Sequence, residues 1–195
     1  MKTTEAALIA ASKGGDVSAF DALIRRYEDK IFRLAHSVCA GLPSEAEDVY
    51  QETFLTAFKG IRRFRGESGL GTWLYRIASN LCWMRLRKKK RQPFVEILDR
   101  PHRHGTEGPV HQFQDWAASP EEEAKKRELR EAVAKALSEL PVDYRLVLTL
   151  RDIERLSNKE TAKVLKLSVA AVKTRIHRGR LFLREKLDGY FRGKG

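Results

Sequence analysis

The chain has 195 residues with 38 Lys or Arg against 26 Asp or Glu, a net charge of +12, and an isoelectric point near 9.9. Hydrophobic residues make up 42% of it, enough for cores in one or two domains, and the excess cation indicates a polyanionic partner. No stretch approaches the ~18 apolar residues of a spanning helix, and the short apolar patch in MKTTEAALIAASKGGD precedes no convincing cleavage site. The expectation is therefore a cytoplasmic protein without direct membrane insertion.

Charge divides the chain into three. Residues 1–92 carry 17 basic and 10 acidic side chains, residues 93–118 carry 2 and 4, and residues 119–195 carry 19 and 12. Two basic modules flank a mildly acidic connector, so the expected domains are 1–92 and 119–195. In the first, Phe20, Leu23, Tyr27, Ile31, Leu34 and Val38 recur at helical steps after a capping Asp16, with Gly41 and Pro43 as the stop. Ser44-Glu45-Ala46-Glu47 has the form of a capping box opening a second helix to about Phe64, with Val49, Thr53, Phe54, Ala57, Phe58 and Ile61 inward. After RGESGLG a third helix starts near Thr72, buries Trp73, Leu74, Ile77 and Leu81, and ends in the basic run Arg85 to Arg91. Cys39 and Cys82 lie on separate helical patterns without a CxxC, as in a reducing compartment.

The connector, with Pro93, Pro101, Pro109, Gly105 and Gly108, has no sustained apolar period and reads as a flexible linker. Its His102, His104 and His111 are too loosely spaced to specify a metal site, and no cofactor is expected. Ser119-Pro120-Glu121-Glu122 opens the second module as a cap, a first-position proline and acids on the positive helix end. Val133, Leu137 and Leu140 form one apolar face. A helix over 143–154 buries Leu146, Val147, Leu150 and Ile153. The fold class is all-α: two small helical domains joined by a flexible linker.

Ser157-Asn158-Lys159-Glu160 is a second capping box, on a short helix through Ala162 and Leu165. The turn Lys166-Leu167-Ser168 follows, and Ser168 caps a helix containing VKTRIHRGR. Val169, Val172, Ile176, Leu183 and Leu187 face inward. Lys173, Thr174, His177 and Arg178 take the opposite side, with Arg175 and Arg180 toward the flanks. This is a helix-turn-helix, whose second helix enters a major groove. Between 161 and 187 the only acid is Glu185. Ser168, Lys173, Thr174, Arg175, His177 and Arg178 are the candidate duplex contacts, some reading base edges and others fixing register on phosphates.

The first module carries AEDVYQETFLTAFKGIRRFRGESGLGTWLYRIASN. Asp48, Gln51, Glu52 and Leu55 fall on the outer side of its second helix, a largely polar stripe suited to a protein partner. Phe64, Trp73 and Tyr75 interleave with Arg62, Arg63, Arg65 and Arg76, a pattern suited to single-stranded nucleic acid, where bases stack on rings and Arg holds the backbone. Trp73 reads as core. No glycine-rich phosphate loop or nucleophile-base pair is present, so neither intrinsic catalysis nor a small-molecule substrate is expected.

DVYQETFLTAF, RFRGES, GTWLYRIASN and the segment from LPVDYRLVLTLRDIERLSNKETAKVL to VKTRIHRGR together resemble the extracytoplasmic-function sigma factors of bacterial RNA polymerase, over about residues 16–92 and 120–188. The resemblance implies that the first domain binds the clamp of core RNA polymerase through Asp48, Gln51 and Glu52, beside Leu55. It implies recognition of the −10 element and capture of the melted strand by Asn80 and by residues between Phe64 and Arg76, among them Arg65 and Tyr75, with Arg87 on the promoter backbone. The second domain would read the −35 element, the linker would thread into the polymerase, and an anti-sigma factor would commonly restrain the protein. Three positions depart from the family pattern: Lys166 replaces a turn glycine, Met84 an Asp four residues after Asn80, and Ala170-Ala171 a commoner Gly-Thr. The alternative reading is a helix-turn-helix regulator with an unrelated helical sensor domain.

Overall fold

The structure, a computed structural model, describes residues 4–89 and 120–192; the expected linker and the Ser119 cap lie outside them. The described residues are helical throughout, without a strand. The first group comprises α1 (Glu5–Lys13), α2 (Val17–Ile24), α3 (Glu28–Val38), α4 (Pro43–Gly60), a 3-10 turn (Ile61–Arg63) and α5 (Leu70–Lys89). The second comprises α6 (Pro120–Glu139), α7 (Val142–Leu148) continuing into a π turn (Thr149–Ile153), α8 (Asn158–Leu165) and α9 (Val169–Arg192).

The apolar patch near the N-terminus is α1. Thr4 caps it through a bond from the Ala7 amide, with Glu5 in its first turn and Lys13 in its last, each matched to the helix dipole. The expected single helix from Asp16 to Val38 is two helices, broken at Arg25-Arg26-Tyr27, where backbone bonds tighten to Leu23 and Ile24. Periodicity alone missed the break because Leu23 and Tyr27 remain four residues apart. Tyr27 is pinned instead by long-range contact. Its hydroxyl donates to Glu5 at 2.8 Å, and its ring lies where a Cβ on Gly71 would come within 2.9 Å. Burial first, and then the Glu5 carboxylate, push the Tyr27 phenol up to about 12.

Pro43 does not stop a helix but begins one. It occupies the first position of α4, where its missing N–H is unneeded, and the expected Ser44 capping box does not form. The chain reaches it through Gly41 at φ +80°. α3, α4 and α5 pack around Ile31, Leu34, Val38, Val49, Ala57 and Ala78, all fully buried. Phe58, expected inside, is 48% exposed and touches Phe20 edge-on.

The second core gathers Leu137, Leu140, Tyr144, Val147, Val172, Ile176 and Phe182. Gly179 lets α9 approach α7, since a Cβ there would lie 2.9 Å from Leu148 Cδ1. The π turn changes the helix phase: Glu154 donates its amide to Thr149, five residues back, at 2.9 Å. Ile153, expected in the core, is thereby left 40% exposed, and Glu154 turns inward.

The two groups pack against each other. Leu146, Leu150 and Val164 of the second enter the core of the first, and Ala40 of the first enters the second core. Arg145 is buried between them. Its guanidinium donates to the Val38 carbonyl at 2.6 Å, to Ser138 at 3.0 Å and to Leu140 at 2.8 Å. These are orphan carbonyls at the C-terminal ends of α3 and α6, so one cation caps a helix from each group. The thiols of Cys39 and Cys82 hydrogen-bond to each other nearby, both buried; that bond and burial push the Cys82 thiol up.

Candidate nucleic-acid interface

The helix-turn-helix forms as its sequence dictates. Ser157 and Glu160 make a reciprocal capping box, the Ser157 amide donating to the Glu160 carboxylate at 2.7 Å and the Glu160 amide to the Ser157 hydroxyl at 3.2 Å. α8 ends at Lys166 in the left-handed region, φ +54°, with no glycine to relieve it. Ser168 then accepts from the Ala171 amide at 3.1 Å and starts α9. Ser168, Lys173, Thr174 and His177 are exposed; Arg178 is half-buried. Arg175 leans back to Asp143 at 3.6 Å and Arg180 to Asp152 at 2.8 Å. The cationic helix therefore presents a narrow reading face with two flanking arginines anchored to α7 and its π turn. Val169, expected inward, is 37% exposed at the helix start.

On α4, Asp48, Gln51 and Leu55 are exposed, Leu55 at 59%, and Glu52 is half-buried. The acidic residues are not left to solvent alone. Arg85 of α5 donates to Glu45 at 3.2 Å, Asp48 at 2.7 Å and Glu52 at 2.8 Å. This clamp raises the Arg85 pKa, Glu52 being the largest cause. The sequence carried a signal for it: 45, 48 and 52 are spaced three and four apart on one helix face.

The basic-aromatic segment divides. Arg65, Asn80 and Arg87 are exposed, and Arg87 lies over the Trp83 ring at 4.6 Å. Met84 is exposed on the same stretch of α5. Phe64 is buried against Trp73, with ring centroids 5.1 Å apart. Tyr75 is buried too, its hydroxyl donating to Glu154 at 2.7 Å. Arg76 donates to the Lys163 carbonyl at 3.1 Å, and the Lys163 ammonium donates to the Glu67 carbonyl at the same distance. Arg33 completes the set with a two-pronged bond to Glu154 at 3.1 and 3.3 Å. A shallow cavity of about 210 Å³ lies beside these contacts, lined by Arg63, Phe64, Arg65, Trp73, Arg76 and Lys163. Sequence reasoning missed Glu154, Lys163 and Arg33. Their partners lie 79 to 121 residues away, and no local pattern announces them.

A helix-turn-helix joined to a basic-aromatic helical module defines a DNA-binding protein of transcription. The sequence profile of Sigma-70 region 2 matches residues 23–92 and that of Sigma-70 region 4 matches residues 130–183. The ECF RNA polymerase sigma factor SigW of Bacillus subtilis is 38% identical over 177 residues, 90% of this chain and 92% of SigW. The ECF RNA polymerase sigma-E factor of Haemophilus influenzae is 33% identical over 185 residues, 95% of this chain and 96% of that one. Among solved structures, CnrH in complex with the cytosolic domain of CnrY aligns with a TM-score of 0.66 at 27% identity, over 93% of this chain and 96% of that one. These modules place the protein in the class of transcription initiation factors of the sigma-70 type. Within it, the chain belongs to the family of extracytoplasmic-function sigma factors.

Proposed function

We propose that this sigma factor binds core RNA polymerase and directs promoter-specific initiation, the polymerase performing the chemistry and the sigma factor none of its own. Residues 1–92 bind the clamp and handle the −10 element, residues 93–118 link, and residues 119–195 read the −35 element. Asp48, Gln51, Glu52 and Leu55 form the polymerase-facing stripe. Phe64, Arg65, Tyr75, Arg76, Asn80 and Arg87 serve −10 recognition and strand capture. Ser168, Lys173, Thr174, Arg175, His177 and Arg178 serve −35 recognition. The observation that carries this reading is the exposed face of α9, on a helix-turn-helix, in one chain with a region 2 module.

CnrH is seen with the cytosolic domain of CnrY, a protein partner on the same fold, which supports control of this chain by a protein that binds it, the anti-sigma factor that the family resemblance implies. No helix among the described residues is long and apolar enough to cross a membrane, in keeping with work in the cytoplasm on the chromosome. Run-off transcription with purified core polymerase tests the reading. The sigma factor confers initiation at a subset of host promoters, and failure at every one overturns it. A free-standing helix-turn-helix regulator, in contrast, would bind its duplex tightly without polymerase.

A further inference from the structure

The far half of α5 turns two sides outward, and they carry different chemistry. On one, Arg85 is drawn to Glu45, Asp48 and Glu52 of α4. About a third of a turn round the helix, Asn80, Met84 and Arg87 follow at steps of four and three and form a second stripe, all three exposed. Arg87 is held by the Trp83 ring, 4.6 Å from its guanidinium, and Trp83 packs on the first core. One end of the stripe therefore offers a fixed cation for a phosphate, and the other offers the Asn80 amide for a base edge. Met84 lies between them, 49% exposed, an unbranched apolar side chain between an amide and a cation. It sits about 6 Å along the helix from Asn80, within two base steps of about 3.4 Å each. Thymine carries a methyl group on its major-groove edge, and apolar side chains contact it. Cytosine presents an amino donor there and the purines present N7 acceptors. Covering one of those with a thioether leaves a polar group without its water.

We propose that Met84 sets base preference within the −10 element, selecting a thymine through apolar contact with its 5-methyl group while Asn80 holds a neighbouring base and Arg87 the backbone. This rests on the assignment of Asn80 and Arg87 to the −10 element. Met84 stands where the family pattern has an Asp, so the preference is a property of this chain. Arg85 faces the acids of α4 instead, so Met84 can be altered without touching the polymerase-facing stripe.

The test uses the full chain with core RNA polymerase on a host promoter whose start run-off transcription has located. Each thymine of the −10 element, on either strand, is replaced in turn by deoxyuridine, which deletes the 5-methyl group and leaves base pairing intact. With the parent, one replacement should slow initiation at limiting holoenzyme about fourfold. Met84→Gln keeps the length of the side chain without its apolar end, and should initiate equally on thymine and deoxyuridine at that position. Met84→Leu should remain sensitive. A parent indifferent to every replacement, a −10 element without thymine, or a Met84→Gln protein with the parent's sensitivity would each overturn the proposal. If Met84→Gln is unfolded by circular dichroism, the deoxyuridine series on the parent decides together with Met84→Leu. Initiation from the unsubstituted template is scored separately, so indifference to deoxyuridine in an active holoenzyme overturns the role of Met84 alone and leaves the sigma assignment standing.

Discussion

Arg145 shows how one side chain can hold a fold without an ion-pair partner. It donates to three carbonyls and, with no carboxylate among those partners, depends on them for its solvation. Burial pulls its pKa below the ordinary guanidinium value. Arg145→Met keeps much of the bulk and strands the carbonyls of Ser138, Leu140 and Val38. It should destabilise the protein by about 2–4 kcal/mol, read by urea unfolding. Nothing at the level of sequence marks this residue, because Val38 is 107 positions away. Lys166 is the opposite case. Its departure from the family glycine was visible in sequence, and the structure places it in the left-handed region as the turn requires. Lys166→Gly should therefore stabilise the turn by up to about 1 kcal/mol, raising the melting temperature without altering duplex recognition.

At the scale of elements, caps and turns were the most legible features where they were local. The Ser157–Glu160 box and the Ser168 cap follow from residues three apart. The Ser44 box failed because Pro43, one residue earlier, took the first helical position. The π turn was illegible, since one extra residue per turn leaves the 3.6 period locally plausible while rotating everything after it. Ser157→Ala should cost about 1 kcal/mol by thermal or urea unfolding. The box also has a pH signature. Bonds from Ser157 lower the Glu160 pKa from 4.5, so its stabilisation is present above that value and is lost as pH falls through the lower folded value. The stabilities of Glu160→Gln and the parent should converge on acidification. A gap that persists at low pH would assign Glu160 a role other than charge.

Across the whole molecule, the two helical modules and the reading helix were legible from composition, period and spacing, whereas their mutual packing was not. That packing rests on contacts such as Tyr75–Glu154 and Arg76–Lys163, made between residues whose local patterns concern their own helices. The polymerase-facing stripe was legible as a stripe, but its clamp by Arg85 was not drawn from the same spacing. Asp48→Ala with Glu52→Ala should weaken affinity for core polymerase by about tenfold while leaving the helical content intact. Leu55→Glu, which leaves the Arg85 clamp in place, should do the same. If only the first pair weakens binding, the clamp rather than the stripe is responsible.

The paired thiols between α3 and α5 give the molecule a built-in stopwatch. Cys39 and Cys82 are both sealed from solvent in the packed chain, and a thiol reagent can reach them only during excursions that part the surrounding helices. Their alkylation rate therefore times those excursions in the natural sequence, with no label introduced. Because Arg145 of the second module lies beside both thiols, comparing that rate before and after a large partner is added reports whether the partner opens this seam or leaves it closed.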